Sequence, residues 1–379
     1  MCNCGLIGTF GRDSAFLDNL SKGEPIVHYD VSMMEDRRPA LAAKIEFLSR
    51  PSAYPEPVRE VSHRETHMSW VFLAGDKVFK LKKPVRFAYL DFSTLARREA
   101  MCRAELRLNR RLAPDVYLDV VPLVQSARGL SIGGAGEVVD WLVVMRRLDE
   151  HWALDRAIEE DRVKASQLDR LVTTLGKFYR HAARPYLSPV AQLNKWHHNI
   201  SHDCRFLLDR RLDLPAGLVR TIERVQHCFL DKRAGGLIER IRDRRIVDGH
   251  GDLRPEHIWL TDGIKIIDCL EFNPHFRMVD PFDEIAYLSL ECERLGATWI
   301  GDYVRRGVAR ALHDDPKPEL FLFYRCHRAA LRARLAIAHL LEPNPRTPEK
   351  WRQRTHDYLR IAARDALRLQ RLLKTPTVR

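Results

Sequence analysis

The sequence predicts an α+β chain of two lobes, a small β-rich N-terminal lobe with one helix and a larger, mostly helical C-terminal lobe. Three observations carry that expectation. The chain has 379 residues, more than one ordinary domain of roughly 100–200. Its β-rich runs gather before residue 148, and helical periodicity dominates after it. One island of short strands, near residue 250, interrupts the helical half.

The elements read in order as follows. Residues 1–35 show no clear periodicity and are expected to be poorly ordered, with Met33 and Met34 as alternative starts. Arg38 to Arg50 has helical spacing and is ended by the proline-rich PSAYPEP. WVFL-AGDK-VFKLKK reads as a hairpin from Trp70 to Lys82 about a Gly-Asp turn. Ser93 to Leu112 is helical, and Val138 to Met145 is apolar enough to be a strand buried on both faces. The first lobe is therefore expected over 36–148 and the second over 149–379, with the boundary near 146–150. In the second lobe, helices run to about Arg240; RRIVDGHGDL follows as a short strand and turn, then HIWL-TDG-IKIID as a second hairpin. Two long helical patterns fill the chain from Glu319 onward, the later one opening on Thr347-Pro348.

Composition narrows the class. With 63 Lys+Arg against 51 Asp+Glu, the formal charge is +12, and 45% of residues are hydrophobic. Arg or Lys interrupts every window of the ~18 apolar residues that a membrane helix needs, so no membrane partner is expected. The first residues lack a cationic and apolar leader, which points to a cytoplasmic protein. Eight cysteines, at 2, 4, 102, 204, 228, 269, 292 and 326, read as reduced thiols; only Cys2 and Cys4 lie close together, and no second pair completes a zinc site. The basic charge would admit nucleic acid or an acidic small molecule. The arginines, however, are scattered among acidic helices, so nucleic acid is an unlikely partner.

The chemistry concentrates in His250-Gly251-Asp252-Leu253-Arg254-Pro255-Glu256-His257 and in Asp268, at the end of the second hairpin. A carboxylate sits on a loop, a metal-ligand type follows five residues later, and the hairpin returns a second carboxylate beside position 257. Phosphoryl transfer needs such a set: a base to orient a hydroxyl, and ligands holding magnesium against nucleotide phosphates.

HGDLRPEHI…IIDCLEF resembles the catalytic loop and metal-binding aspartate of the aminoglycoside phosphotransferase-like branch of the protein-kinase-like superfamily. The resemblance runs from about Glu56 to the C-terminal helices and implies a two-lobed protein-kinase-like fold. It implies Asp252 as catalytic base, His250 as the residue orienting the loop, His257 and Asp268 as metal ligands, and Asp283 as a structural aspartate. THMSWVFL…VFKLKKPV and RAELRLNRRLAPDVYL are similar, more narrowly, to an uncharacterised bacterial group sometimes fused to a P-loop ATPase domain. No G-x-x-x-x-G-K-S/T occurs, so the stand-alone form is expected.

Such enzymes need a strand lysine for the α/β-phosphates and a helix glutamate to pair with it. Lys80 lies on the return strand of the first hairpin. Of the helix glutamates, Glu105 shares a sector of about 60° with Met101, Leu108 and Leu112, whereas Glu99 lies nearly opposite. A carboxylate in an apolar stripe needs a buried partner, so Glu105 is paired with Lys80. The resemblance places Met145 to Leu148, Met145 and Arg147 included, as the backbone that meets adenine, and Ser69 in the turn that covers the phosphates.

Three departures qualify the pattern. His257 replaces the usual asparagine and suits manganese better than magnesium. Thr66-His67-Met68-Ser69 replaces the glycine-rich loop. Cys-Leu-Glu-Phe follows Asp268, making Glu271 either a third carboxylate near the metal or a salt-bridge residue. HHNISHDC, from His197 to Cys204, reads as a polar loop or helix end rather than a zinc site. Arg325, Arg328 and Arg332 form one helical stripe, read first as a solvated face and second as the mouth of an acceptor pocket for an anionic substrate.

The expectation is an ATP- and magnesium-dependent phosphotransferase (manganese being possible) acting on a hydroxyl of a small molecule. Two rivals stand beside it: a catalytically silent nucleotide-binding regulatory protein, and a transition-metal hydrolase using His250, Asp252, His257 and Asp268.

Overall fold

A computed structural model of the chain describes residues 39–374 except 88, 343, 344 and 346. The expected disorder over 1–35, the alternative starts and the Cys2/Cys4 pair lie outside the described residues.

The N-terminal lobe opens with α1 (Leu41–Leu48) and continues through β1 (Val61–Glu65), β2 (Ser69–Ala74), β3 (Lys77–Lys82), β4 (Arg86–Phe87) and β5 (Leu90–Asp91). Helix α2 (Leu95–Asn109) follows, then β6 (Tyr117–Ser126), β7 (Gly129–Ile132) and β8 (Glu137–Arg146). Six strands form one antiparallel sheet in the order β1-β2-β3-β8-β6-β7. The β2–β3 hairpin turns at Gly75, whose φ of +61° is one that a residue bearing a Cβ rarely adopts. Strand alternation buries Phe72, Ala74, Phe79 and Leu81 on one side, where α1 contributes Leu48 to the same core. Helix α1 falls within the helical spacing read over Arg38 to Arg50, so with α2 the lobe carries two helices where its class description had one. On the sheet's other side α2, capped by Thr94, seats Cys102 against Val143 and Met145.

A buried triad ties α1, α2 and the sheet together. Asp140 on β8, 1% exposed, accepts from Lys44 Nζ (2.8 Å) and Arg98 Nε (2.8 Å). Neither cation has solvent enough to stand alone.

The second lobe runs α3 (Leu154–Glu159), α4 (Ala165–His181), α5 (Pro189–Leu207), α6 (Ala216–Arg242), β9 (Val247–Asp248), β10 (Ile258–Trp259), β11 (Lys265–Ile266) and β12 (Met278–Val279). It ends with α7 (Pro281–Arg294), α8 (Thr298–Leu312), α9 (Pro318–Ala338) and α10 (Pro348–Lys374). Helix α7 is the lobe's axis: Pro281 through Cys292 are all buried, so it is enclosed on every side. The strand island sits at its N-terminal end, as two ribbons, β9 with β12 and β10 with β11.

Two expectations are corrected here. The segment His197 to Cys204 is neither loop nor helix end but lies inside α5. There His197 Nδ1 meets His227 Nδ1 at 2.9 Å, and Ser201 Oγ meets His227 Nε2 at 3.1 Å. Nor is the arginine stripe of α9 a solvated face. Arg325 is 6% exposed and bonded to Asp365, Ser289 and Glu293, while Arg328 makes two bonds to Asp283, at 2.8 and 2.7 Å. No helix among the described residues is long and apolar enough to cross a membrane.

Asp140→Asn should lower stability by about 3–5 kcal/mol, because two buried cations lose their shared counter-charge. Urea denaturation measures it, and a loss below about 1 kcal/mol would show that the triad does not hold the lobe.

Candidate active site

The site assembles where the two lobes face each other. Strand β3 presents Lys80, and the alternation of the strand returns Lys82 to the same face. Lys80 Nζ donates to Glu105 Oε1 (2.8 Å) and to Asp268 Oδ1 (3.0 Å). Lys82 Nζ donates to Glu105 Oε2 (2.5 Å) and to Glu271 Oε1 (2.5 Å). Glu105 is fully buried and serves two lysines, one per oxygen. Burial would raise its carboxyl, but Lys80 and Lys82 outweigh burial and hold it below the usual range. Burial likewise opposes the charge on Lys80, and Asp268 with Glu105 reverses that effect, keeping the ammonium well above its ordinary value. Glu99, the alternative helix glutamate, is instead a surface partner of Arg103.

The loop from Gly249 to His257 depends on two glycines. A Cβ on Gly251, at φ +88°, would lie 3.1 Å from Leu270 Cδ1 and from the Phe276 carbonyl oxygen; one on Gly249 would lie 2.8 Å from Glu284 Oε2. Glu284, from α7, accepts from the Gly251 N–H and from Tyr179 Oη (3.0 Å), pinning the turn from beneath. His250 accepts the Asp252 N–H on Nδ1 (3.2 Å) and places Nε2 2.9 Å from the Ile267 carbonyl. Burial first, then the neighbouring His257, lowers its pKa to about 4, so the ring is neutral with its proton on Nε2. Both of its nitrogens are engaged. A transition-metal centre using His250 as ligand is therefore not what this geometry offers, and among the described residues no group of three or more His, Cys, Asp or Glu is placed to hold a metal ion.

Asp252 points its carboxylate into the cleft, 21% exposed. Tyr287 Oη donates to Oδ1 (3.0 Å), and Arg254 Nη2 lies 3.1 Å from Oδ2. Burial works against the charge, but Arg254, His257 and Arg332 outweigh it and hold the carboxyl below the usual range. His257 Nδ1 faces the Asp252 carbonyl (2.9 Å), which leaves Nε2 as the lone pair. That lone pair accepts from Arg254 Nη2 (3.1 Å) and stands 3.6 Å from Asp268 Oδ2. Asp268 adopts a left-handed φ of +62°, its N–H donating to Tyr117 Oη (3.1 Å) and its side chain 47% exposed. Lys80 foremost, against burial, keeps that carboxyl far below its ordinary range.

Lys80, Glu105, Asp252, His250, His257 and Asp268 are thus brought together. Others stand apart. Glu271 lies on Lys82, the salt-bridge alternative, with burial raising its carboxyl despite that lysine. Ser69, 2% exposed, ends the turn of Thr66 to Met68 with its N–H and C=O both bonded to Thr66 Oγ1. Met145 is packed into the sheet core, and the Arg147 N–H donates to the Asp76 carbonyl (2.7 Å).

Sequence reasoning missed Lys82, Arg254, Tyr287 and Glu284. A signal existed for one group: Asp283, Tyr287 and Glu291 repeat every four residues on α7, as Arg328 and Arg332 do on α9. The two rows meet, with both guanidinium groups over the Tyr287 ring at 5.3 and 5.8 Å.

An antiparallel sheet with its lysine–glutamate pair, facing a helical lobe that carries the His-Gly-Asp loop and Asp268, defines a two-lobed protein-kinase-like fold. No family model matches the chain. It is 34% identical over 296 residues to uncharacterized proteins of Mycobacterium tuberculosis and Mycobacterium bovis, the alignment taking in 76% of this chain. The chain spans 57% of the length of these relatives. Among solved structures it is similar to a choline/ethanolamine kinase family protein of Mesorhizobium loti, at 17% identity over 88% of this chain and 96% of that one, with a TM-score of 0.49. It is also similar to a choline kinase of Cryptosporidium parvum, at 11% identity over 88% of this chain and 99% of that one, with a TM-score of 0.48. A thermostable mutant of an aminoglycoside phosphotransferase gives 11% identity over 80% of this chain and 95% of that one, at 0.44.

Lys82→Met should cost about 3–5 kcal/mol, since Glu271 is left buried without a partner. Lys80→Met should cost only about 1–2 kcal/mol, since Glu105 keeps Lys82. Paired denaturation curves test the order; equal losses would mean that the lysines do not divide the work this way.

Proposed function

We propose that the chain belongs to the aminoglycoside phosphotransferase-like branch and transfers the γ-phosphoryl group of ATP to a hydroxyl of a small molecule. The observation that carries this reading is the convergence of Lys80, Asp268, His257 and Asp252 across the cleft, in the roles that phosphoryl transfer requires. The Lys80 ammonium lies between Glu105 and Asp268; on this reading it would turn to the α/β-phosphates while Glu105 retains it on the other side.

Asp268 and the Nε2 lone pair of His257 would hold magnesium or manganese. Two protein ligands suffice for a metal that keeps waters and phosphate oxygens in its remaining positions. When bound, such an ion neutralises charge on the phosphates and draws them into line. Holding the ion would take the His257 lone pair from Arg254 Nη2, while Asp252 and Glu256 would keep that guanidinium in place beside the cleft. Asp252 takes the proton of the acceptor hydroxyl as its oxygen bonds to the γ-phosphorus. The bond to the β–γ bridging oxygen breaks, and ADP leaves with that electron pair. Tyr287 holds the Asp252 carboxylate in place throughout.

A second reading, nucleotide binding without turnover, draws on the turn of Thr66 to Met68, which lacks glycine and closes its own hydrogen bonds. ATP consumption set beside ATP binding separates the two.

Asp252→Asn should keep ATP affinity within a few-fold while transfer falls roughly 10²–10⁴-fold. Most of the wild-type rate persisting would remove Asp252 as the base. His257→Asn should shift preference toward magnesium over manganese, because an amide oxygen is the harder ligand. Titrating each metal against the nucleotide-bound chain checks this, and an unaltered ratio would leave Asp268 alone to hold the ion.

A further inference from the structure

We propose that the hydroxyl acceptor is an anion, a small molecule bearing a carboxylate or phosphate that Arg332 binds beside Asp252. The inference rests on the phosphotransfer reading and concerns the substrate class alone.

Arg332 leaves α9 into the floor of the cleft with its side chain 17% exposed. Its guanidinium is held between two rings, 5.8 Å from the centre of Tyr287 and 5.6 Å from that of Tyr358. Tyr287 is the residue whose hydroxyl donates to Asp252, so Arg332 flanks the place where the acceptor hydroxyl must sit. Its Nε lies 3.3 Å from Glu291 Oε1 but out of hydrogen-bond alignment, and it is a buried donor left without a hydrogen-bond partner among the described residues. A guanidinium fixed between two rings with a donor unengaged fits a carboxylate or phosphate.

The neighbouring carboxylates point the same way. Asp283 is occupied by both arms of Arg328, Glu256 by Arg254, Glu284 by the Gly251 N–H and Tyr179, and Glu291 by Tyr358 and Arg294. None of these four is left to receive an ammonium group. Lys195 of α5 adds a further cation, its Nζ engaged among the described residues only at 3.5 Å with the His275 carbonyl. A cationic acceptor would meet the guanidinium groups of Arg254, Arg328 and Arg332 there, a mismatch that costs selectivity as surely as a clash.

The test titrates the full chain, with and without AMP-PNP and magnesium, against D-glycerate, glycerol 3-phosphate, choline and ethanolamine at matched ionic strength. The expected result is that at least one anion binds tenfold or more tightly than either amine. Arg332→Gln should weaken that anion about tenfold, and Arg332→Lys should restore part of it; melting curves show that both variants fold. Tighter binding of an amine, binding of neither class, or anion affinity indifferent to Arg332→Gln overturns the proposal. A loss confined to AMP-PNP in Arg332→Gln also overturns it, placing the arginine on the nucleotide instead. Failure to bind AMP-PNP at all, with anion binding intact, would sink the phosphotransfer reading and leave the anion site standing.

Discussion

Everything at the centre of this molecule hangs on one fully buried carboxylate. Glu105 sits under the sheet with a lysine on each oxygen, and those lysines reach on to Asp268 and Glu271 in the other lobe. A carboxylate without solvent is tolerable only while it is paired. Its pairing in turn fixes the tilt of α2, the face that β3 turns inward and the distance between the lobes. The same five charged groups are therefore structural support and candidate nucleotide site at once.

The larger lobe solves a similar problem with a different geometry. Helix α7 is enclosed on all sides yet carries Asp280 at its cap and Asp283, Glu284 and Glu291 along its length. Each is met from a different direction: Arg240 and Tyr324 on Asp280, Arg328 on Asp283, the loop glycine on Glu284, Tyr358 on Glu291. Because Glu284 and Tyr287 hold the catalytic-type loop from below, the orientation of Asp252 is set by a rigid helix rather than by the loop itself.

Much of this was legible in the sequence, and the limits have a physical cause. The β2–β3 hairpin, Lys80, the inward placement of Glu105 and the return of Asp268 beside His257 follow from local periodicity and turn chemistry. What stayed hidden were charges whose partners lie far along the chain: Lys82 reaches Glu271 across 189 positions, and Arg325 reaches Asp365 across 40. Periodicity counts an arginine as polar and assigns it to solvent, so the α9 stripe read as a surface. The histidines of α5 failed for a related reason, since a polar run looks like a loop until α6 supplies His227 to face it.

The grip of the smaller lobe on the chemical segment has one more consequence. Asn109 Oδ1 takes the N–H of Cys269, Arg111 takes the carbonyls of Asp248 and Gly249, and Tyr117 Oη takes the N–H of Asp268. Each of these four bonds holds a main-chain atom. Arg111 adds two side-chain bonds, to Asp248 Oδ2 and to Cys269 Sγ, both at 3.2 Å. Substitution at 268 leaves the clamp's hydrogen bonds intact, and substitution at 248 or 269 removes one of these two while the main-chain bonds stay. Sequence can drift within the reacting segment, and its chemistry with it, while an anchor built from 109, 111 and 117 keeps the backbone where it was.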